Sequence, residues 1–282
     1  MNEILYQKAF VLVIVLSILG IVFADEPRLP LDPEAPWEGD PDISALKDER
    51  LREIWENVVK RYRRTNPMAS PPGGMWQEPL SKDVDTQEYL ITSLDNTLHA
   101  DPIDWNTVYT TVLLLLGGIE PDPRIPELAR YMYQLPRPMK MSDPHGRAYV
   151  EMLFVLSLQQ SVDAASVLSD AVVKSFWGNT PYHDRPKEST EEAVYRMRNV
   201  ALSRLASISP NISIPLLETL AHKYPYVQQK YSKDFVLESE FEDWLKLNPD
   251  GCIGRDIQYF LKEAYEKQAQ EEARSETHNS NE

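Results

Sequence analysis

The chain carries one cysteine, Cys252, in 282 residues. No internal disulfide can form, so the fold must be held by packing rather than cross-links. Small secreted domains commonly rely on disulfides, and their absence points to a bacterial envelope rather than an animal extracellular space. Cys252 sits between Gly251 and Ile253 with no cysteine partner nearby, and reads as a small packing residue rather than a redox site. Basic charge is scarce too: 29 Lys and Arg face 44 Asp and Glu, a net charge of −15 at pH 7. Such a surface repels phosphate backbones and anionic lipid, so no nucleic-acid partner is expected. Catalytic signatures are missing as well. No Gly-rich phosphate loop, nucleophile elbow, Ser/Lys motif or HExxH occurs. The histidines, His99, His145, His183, His222 and His278, form no metal-binding pair at helical spacing. No metal and no cofactor is expected, and catalysis is not the preferred reading. Sustained two-residue alternation between hairpin turns is also absent, which leaves little room for sheet.

What the sequence does have begins with an apolar run, Ala9 to Ala24, ending in Val22-Phe23-Ala24 before Asp25-Glu26-Pro27. Sixteen helical residues span roughly 24 Å, short of the ~30 Å hydrocarbon core. The small residues at its end suit a signal peptidase, so residues 1–24 are expected to be a cleaved signal, with an uncleaved anchor as the alternative. Lys8 precedes the run and Asp25 and Glu26 follow it, so the body is expected outside the cytoplasm in both cases. The destination is periplasmic or secreted, and membrane contact is expected only through residues 9–24, if they are retained.

Beyond the signal, residues 25–41 hold Pro27, Pro30, Pro33, Pro36 and Pro41 among acids, and read as an extended linker with Trp37 inside it. Residues 42–64 form an amphipathic helix, with Leu51, Ile54, Trp55, Val58, Val59 and Tyr62 on one face and Asp42 or Ser44 as the cap. The basic cluster Lys60 to Arg64 closes it, where cations favour the helix dipole. A Pro/Gly linker, 65–83, leads to a helical domain, 84–268, and a polar, frayed tail, 269–282. Candidate helices run over about 84–99, 103–116, 124–135, 146–160, 162–176, 190–207, 212–223, 234–246 and 254–272. Breakers such as Asp101-Pro102, Gly117-Gly118, Pro121-Asp122-Pro123, Asp143-Pro144 and Ser209-Pro210 separate them.

Three of these helices superpose without gaps on Pro126, Ser166 and Pro215. Apolar residues follow two, five, six and nine positions later: Leu128, Tyr131, Met132 and Leu135, then Leu168, Ala171 and Val172 with Ser175 breaking the match, then Leu217, Leu220, Ala221 and Tyr224. The offsets are 40 and 49 residues, and the longer one contains the insertion 178–189. On these residues, and on Asp122-Pro123-Arg124-Ile125-Pro126 and Pro210-Asn211-Ile212-Ser213-Ile214-Pro215, the chain over about 100–225 resembles HEAT-like α-solenoids, whose helix pairs recur every 40–47 residues. The family's polar Asp-Val-Arg/Lys signature is not clearly present. The resemblance implies an all-α fold of stacked helix pairs and an extended face that binds proteins.

Candidate site residues are few. Tyr182, His183, Asp184 and Arg185, in the insertion after Trp177, combine aromatic, imidazole, carboxylate and guanidinium groups in a loop and are the first choice for a binding site. His99 with Asp101 and Asp104 could surround a cation, but reads better as a helix end and a cap for the helix at Trp105. Asp143 and Asn211 are read as caps, the latter in preference to the glycosylation pattern Asn211-Ile212-Ser213. The expected role is non-catalytic protein binding or scaffolding at the envelope, with an unknown protein partner. The alternative is a helical carbohydrate-active enzyme or sugar-binding protein. Export with cleavage predicts that the secreted chain, sequenced from its N-terminus, begins at Asp25; a start at Met1 would leave the anchor reading.

Overall fold

Polar side chains cap the starts of several helices. The computed structural model describes residues 40–65, 84–117, 120–136, 143–177, 190–226 and 249–279, and these are helical, with no strand among the described residues. Asp42 accepts from the Ser44 and Ala45 amides and opens a short 3-10 turn, Ile43–Ala45. Asp48 then accepts from the Leu51 amide at 3.1 Å, at the start of α1 (Glu49–Thr65). The single helix expected from residue 42 is therefore two elements, because two aspartates compete to cap and Leu46 between them is extended. After α2 (Val84–Leu98), Asp104 caps α3 (Trp105–Leu115), accepting from the Asn106 and Thr107 amides at 3.1 and 3.3 Å. The chain continues through α4 (Arg124–Gln134), α5 (Pro144–Leu158) and α6 (Val162–Val172), where Ser161 accepts from the Ala164 amide. A single turn, α7 (Lys174–Trp177), leads on to α8 (Thr190–Ser207), α9 (Pro210–Lys223) and α10 (Pro249–Asn279).

The boundaries differ most from the sequence reading at two helices. The helix expected over 162–176 stops at Val172, because side chains take its last carbonyls: the Trp177 indole donates to Ala171 O at 2.6 Å and Arg198 Nε to Val172 O at 2.7 Å. At the other end, α10 runs past Gln268 to Asn279, where a frayed tail was expected. Spaced pairs support its exposed length, with Tyr259 donating to Glu263, Lys262 beside Glu266 and Gln268 donating to Glu272. The candidate helix at 234–246 lies outside the described residues.

The helices pack on partners one to three places away in the chain, in two series. One series of contacts joins α1 to α3, α3 to α5, α5 to α8 and α8 to α10; another joins α2 to α4, α4 to α6 and α6 to α9. Cross-contacts between the series include α2 on α3, α6 on α8 and α9 on α10. One continuous apolar core runs between them, from Leu46 to Ala264. Glutamine amides tie successive turns together. Gln87 on α2 both donates to and accepts from the Glu120 backbone, at 3.0 Å each way. Buried Gln159 accepts from the Asp122 amide at 2.8 Å, and Gln160 accepts from the Ser209 amide at 2.9 Å. Gln160 does so from a left-handed backbone, φ 46°, a conformation that disfavours side chains and is offset here by its bonds to Ser209 and to Ser157 O.

The buried polar anchor is Arg198, 1% exposed. Its guanidinium spans the end of α6 (Val172 O), the start of α10 (Asp250, 2.9 Å) and the ring of Tyr224 after α9 (5.0 Å). Beside that junction Gly254 lets α10 approach the end of α9: a Cβ there would stand 2.6 Å from Tyr224 O. Backbone cannot yield as a flexible side chain can. Gly254→Ala is therefore expected to cost about 1–3 kcal/mol, despite alanine's better helix propensity. Urea denaturation of the two proteins checks this; an unchanged or raised midpoint would refute the close packing.

Candidate functional site

Residues three to four apart share a helix face, so Ile91, Asp95 and His99 line one stripe of α2 and Arg124, Leu128 and Tyr131 one stripe of α4. Where α2 meets α4, these residues with Thr92 and Glu127 border a cleft of about 260 Å³. His99 Nδ1 lies 2.9 Å from Asp95 O and 3.0 Å from Asp95 Oδ1. Both partners are acceptors, which places the proton on Nδ1 and leaves Nε2 an acceptor in the neutral ring. The imidazole stacks on Tyr131 at 4.2 Å and 17°. Arg124 is held in a fork by Glu88 (2.8 and 2.6 Å) and Asp122 (3.0 and 2.7 Å). These bonds hold both carboxyls below the usual carboxylate range and push the guanidinium up. Its charge is neutralised. Among the described residues Asp95 pairs only with His99 and Glu127 forms no ion pair, so the cleft presents acid, not base.

Two further polar groupings sit between helices. On α8 and α10, Asp256 is buried and fully supplied: Tyr195 donates at 2.5 Å, Asn199 at 2.9 Å and Arg255 at 2.7 and 3.0 Å. Burial and this carboxylate push the Tyr195 hydroxyl up, so it remains a donor. Burial also pushes the adjacent Cys252 thiol up to about 12, which keeps it protonated and unreactive. The second grouping is on α3, α5 and α8. Glu151 is half-buried, with Oε2 sealed from solvent and lacking a hydrogen-bond donor, and burial pushes its carboxyl up to about 7. Arg147, one turn earlier, and Arg204 on α8 act against that rise. Arg147 donates to Tyr109 on α3, while the Arg204 guanidinium lies over the Phe154 ring at 4.0 Å.

Among the described residues a run of aromatic side chains stacks together. Trp105 stacks on His145 at 3.4 Å, and contacts continue through Tyr149 and Tyr133 to Phe176 and Trp177. Tyr133 and Tyr149 also donate to carbonyls of each other's helices, Tyr149 O at 2.8 Å and Met132 O at 2.6 Å.

Tyr182, His183, Asp184 and Arg185 lie outside the described residues. His99, Asp101 and Asp104 do not act together: Asp104 is a cap and His99 turns to Asp95. Among the described residues, no three His, Cys, Asp or Glu side chains converge where a metal could sit. Asp143 occupies the cap position of α5, with Pro144 at the first helical position, but its side chain makes no capping bond. Asn211 is not the cap of α9. That helix begins at Pro210, and Asn211 instead accepts from the Ser209 hydroxyl at 2.5 Å. The chain matches no known protein family, no curated protein and no solved structure.

The Arg124 fork makes a pH prediction. A carboxyl whose folded pKa is depressed contributes stability above its unfolded pKa and loses it as pH falls through the folded one. In Arg124→Gln, the Glu88 and Asp122 carboxyl titrations, followed by NMR, should both move up. Acid unfolding should begin at higher pH. Titrations that stay put would remove the fork as their cause.

Proposed function

We propose that this chain is an exported, non-catalytic helical protein that binds or scaffolds other proteins at the cell envelope, on a HEAT-like frame of stacked helix pairs. Three features support the frame. The repeating segments at Pro126, Ser166 and Pro215 fall on α4, α6 and α9, helices that contact one another in succession. Their matched positions Met132, Leu168, Val172, Leu217 and Leu220 are buried. Gln159 and Gln160 join the turn after α5 to those before α4 and α9. In such an array the outer face of a helix row is open along its length and suits an extended partner.

The observation that carries the binding role is the acidic cleft between α2 and α4. With Arg124 neutralised by Glu88 and Asp122, the carboxylates of Asp95 and Glu127 favour a basic partner segment whose stems lie against Leu128 and Tyr131. The sugar-binding alternative draws less support. A sugar cleft stacks on aromatic faces open to solvent; Trp177 is buried, Trp105 is covered by His145, and the exposed rings among the described residues are the tyrosines Tyr226, Tyr259 and Tyr265.

The mature chain, used as bait in envelope extract, is expected to retain a protein partner in low salt and release it in high salt. The double variant Asp95→Lys/Glu127→Lys should lose that partner while keeping its helical circular dichroism. A glycan array on the same preparation supplies the opposing outcome. Glycan binding with no protein retained, or retention indifferent to the double variant, would overturn the reading.

A further inference from the structure

Buried acids in this fold are supplied with donors, and Glu151 is the departure. It lies on α5, which packs against α3, α4, α6 and α8. The groups facing it are Arg147 from its own helix and Arg204 from α8; α3 contributes Tyr109, whose hydroxyl is bonded to Arg147 and is itself pushed up to about 12 by burial. Asp40 acts on that hydroxyl from the segment before α1. Among the described residues, α4 and α6 add no charged group that acts on the carboxyl.

Two buried polar atoms in this cluster have no hydrogen-bond partner, Glu151 Oε2 and Arg204 Nε. They carry complementary roles, acceptor and donor, yet no bond joins them, because the Arg204 guanidinium rests on Phe154, three residues along α5 from Glu151. A carboxyl without a donor is tolerated in its neutral form and costly once ionised. Ionisation would also make it the strongest acceptor within reach of Arg204, and a guanidinium exchanges a ring face for a carboxylate readily.

We propose that Glu151 is a proton-operated latch between α5 and α8: its neutral form leaves Arg204 on the Phe154 ring, and its ionised form draws Arg204 off that ring into an ion pair. The step is the loss of one proton to solvent and a side-chain rearrangement, with no other bond made or broken. The α5–α8 junction thus has two packings, and pH selects between them.

The sign of the linkage is fixed. The folded carboxyl holds its proton to higher pH than the unfolded one, so the latch favours folding fully at pH below the ordinary carboxylate range. That advantage is lost as pH rises toward about 7. At one proton per molecule, the folding equilibrium constant should fall up to about a hundredfold across that window through this group alone.

The test uses the whole mature chain. NMR of the Glu151 carboxyl carbon should show a midpoint near neutrality, with the Arg204 Nε–H and Phe154 ring signals moving at the same midpoint. In Glu151→Gln, Arg204 and Phe154 should no longer respond to pH between 5 and 8, and the fall in denaturation midpoint over pH 5 to 7 should shrink. A Glu151 midpoint in the ordinary carboxylate range overturns the proposal. So does a carboxyl that titrates near 7 while Arg204 and Phe154 stay still. Should Glu151→Gln fail to fold, the titration of the unaltered chain decides alone.

Discussion

The C-terminal half of the fold depends on one buried cation. Arg198 projects from the middle of α8, on a stripe otherwise made of Val194, Ala201 and Leu205, and reaches the end of α6, the start of α10 and Tyr224 after α9. Burying a lone charge costs several kcal/mol, so the geometry of its partners matters. Val172 O is a helix-end carbonyl with no intrahelical partner, and accepting from Nε satisfies it. Asp250 is 56% exposed on its side chain, so the ion pair straddles the surface and only the arginine is dehydrated. That asymmetry lowers the cost relative to a pair with both charges buried. Nη2 still lacks a partner, which marks what the arrangement gives up. The break between α6 and α7, and the approach of α10 to Tyr224 that only Gly254 permits, both follow from these contacts.

The sequence pattern is legible where periodicity and caps agree. The helix read over 190–207 has those bounds in the structure, because Ala193, Val194, Met197, Ala201, Leu202 and Leu205 keep strict helical spacing between polar flanks. The cap at Asp104 is legible for the same reason: a short acid stands before an apolar run. Less legible are effects that depend on which helices meet. Arg198 lies on the apolar stripe of Val194, Ala201 and Leu205, so the sequence does mark it as out of place, but not what it touches. The stripes of α2 and α4 are equally plain, yet nothing local says that helices 40 residues apart at their starts face each other across a cleft. The C-terminal end misleads in the opposite sense. Its polar residues read as a frayed tail, but Glu, Ala, Gln and Lys are strong helix formers and their four-residue spacing extends α10.

Glutamine side chains do unusual positional work here. A primary amide can donate and accept at once, so it can replace a peptide group where two turns pass. Gln87 does this against Glu120, meeting both backbone groups of one residue. Gln159 and Gln160 divide the task, reaching Asp122 on one side and Ser209 on the other from adjacent positions. Consecutive residues point in different directions, so a single turn can serve two neighbours only if the backbone bends sharply. The left-handed Gln160 provides that bend. The strain at one residue is thus what lets three turns be joined in order.

Asp256 and Glu151 show how the same helix row treats acids in two ways. Asp256, between α8 and α10, collects donors from Tyr195, Asn199 and Arg255, and every direction around its carboxylate is occupied. That network of satisfied hydrogen bonds fixes the junction in one packing. Glu151, between α5 and α8, has two arginines nearby and a bond from neither, since Tyr109 and Phe154 hold them. The difference is not the supply of positive charge but where that charge is spent. One junction is locked by satisfied hydrogen bonds. The other keeps an acid and a base unbonded, with Glu151 Oε2 and Arg204 Nε both lacking partners, which is the arrangement a proton can decide.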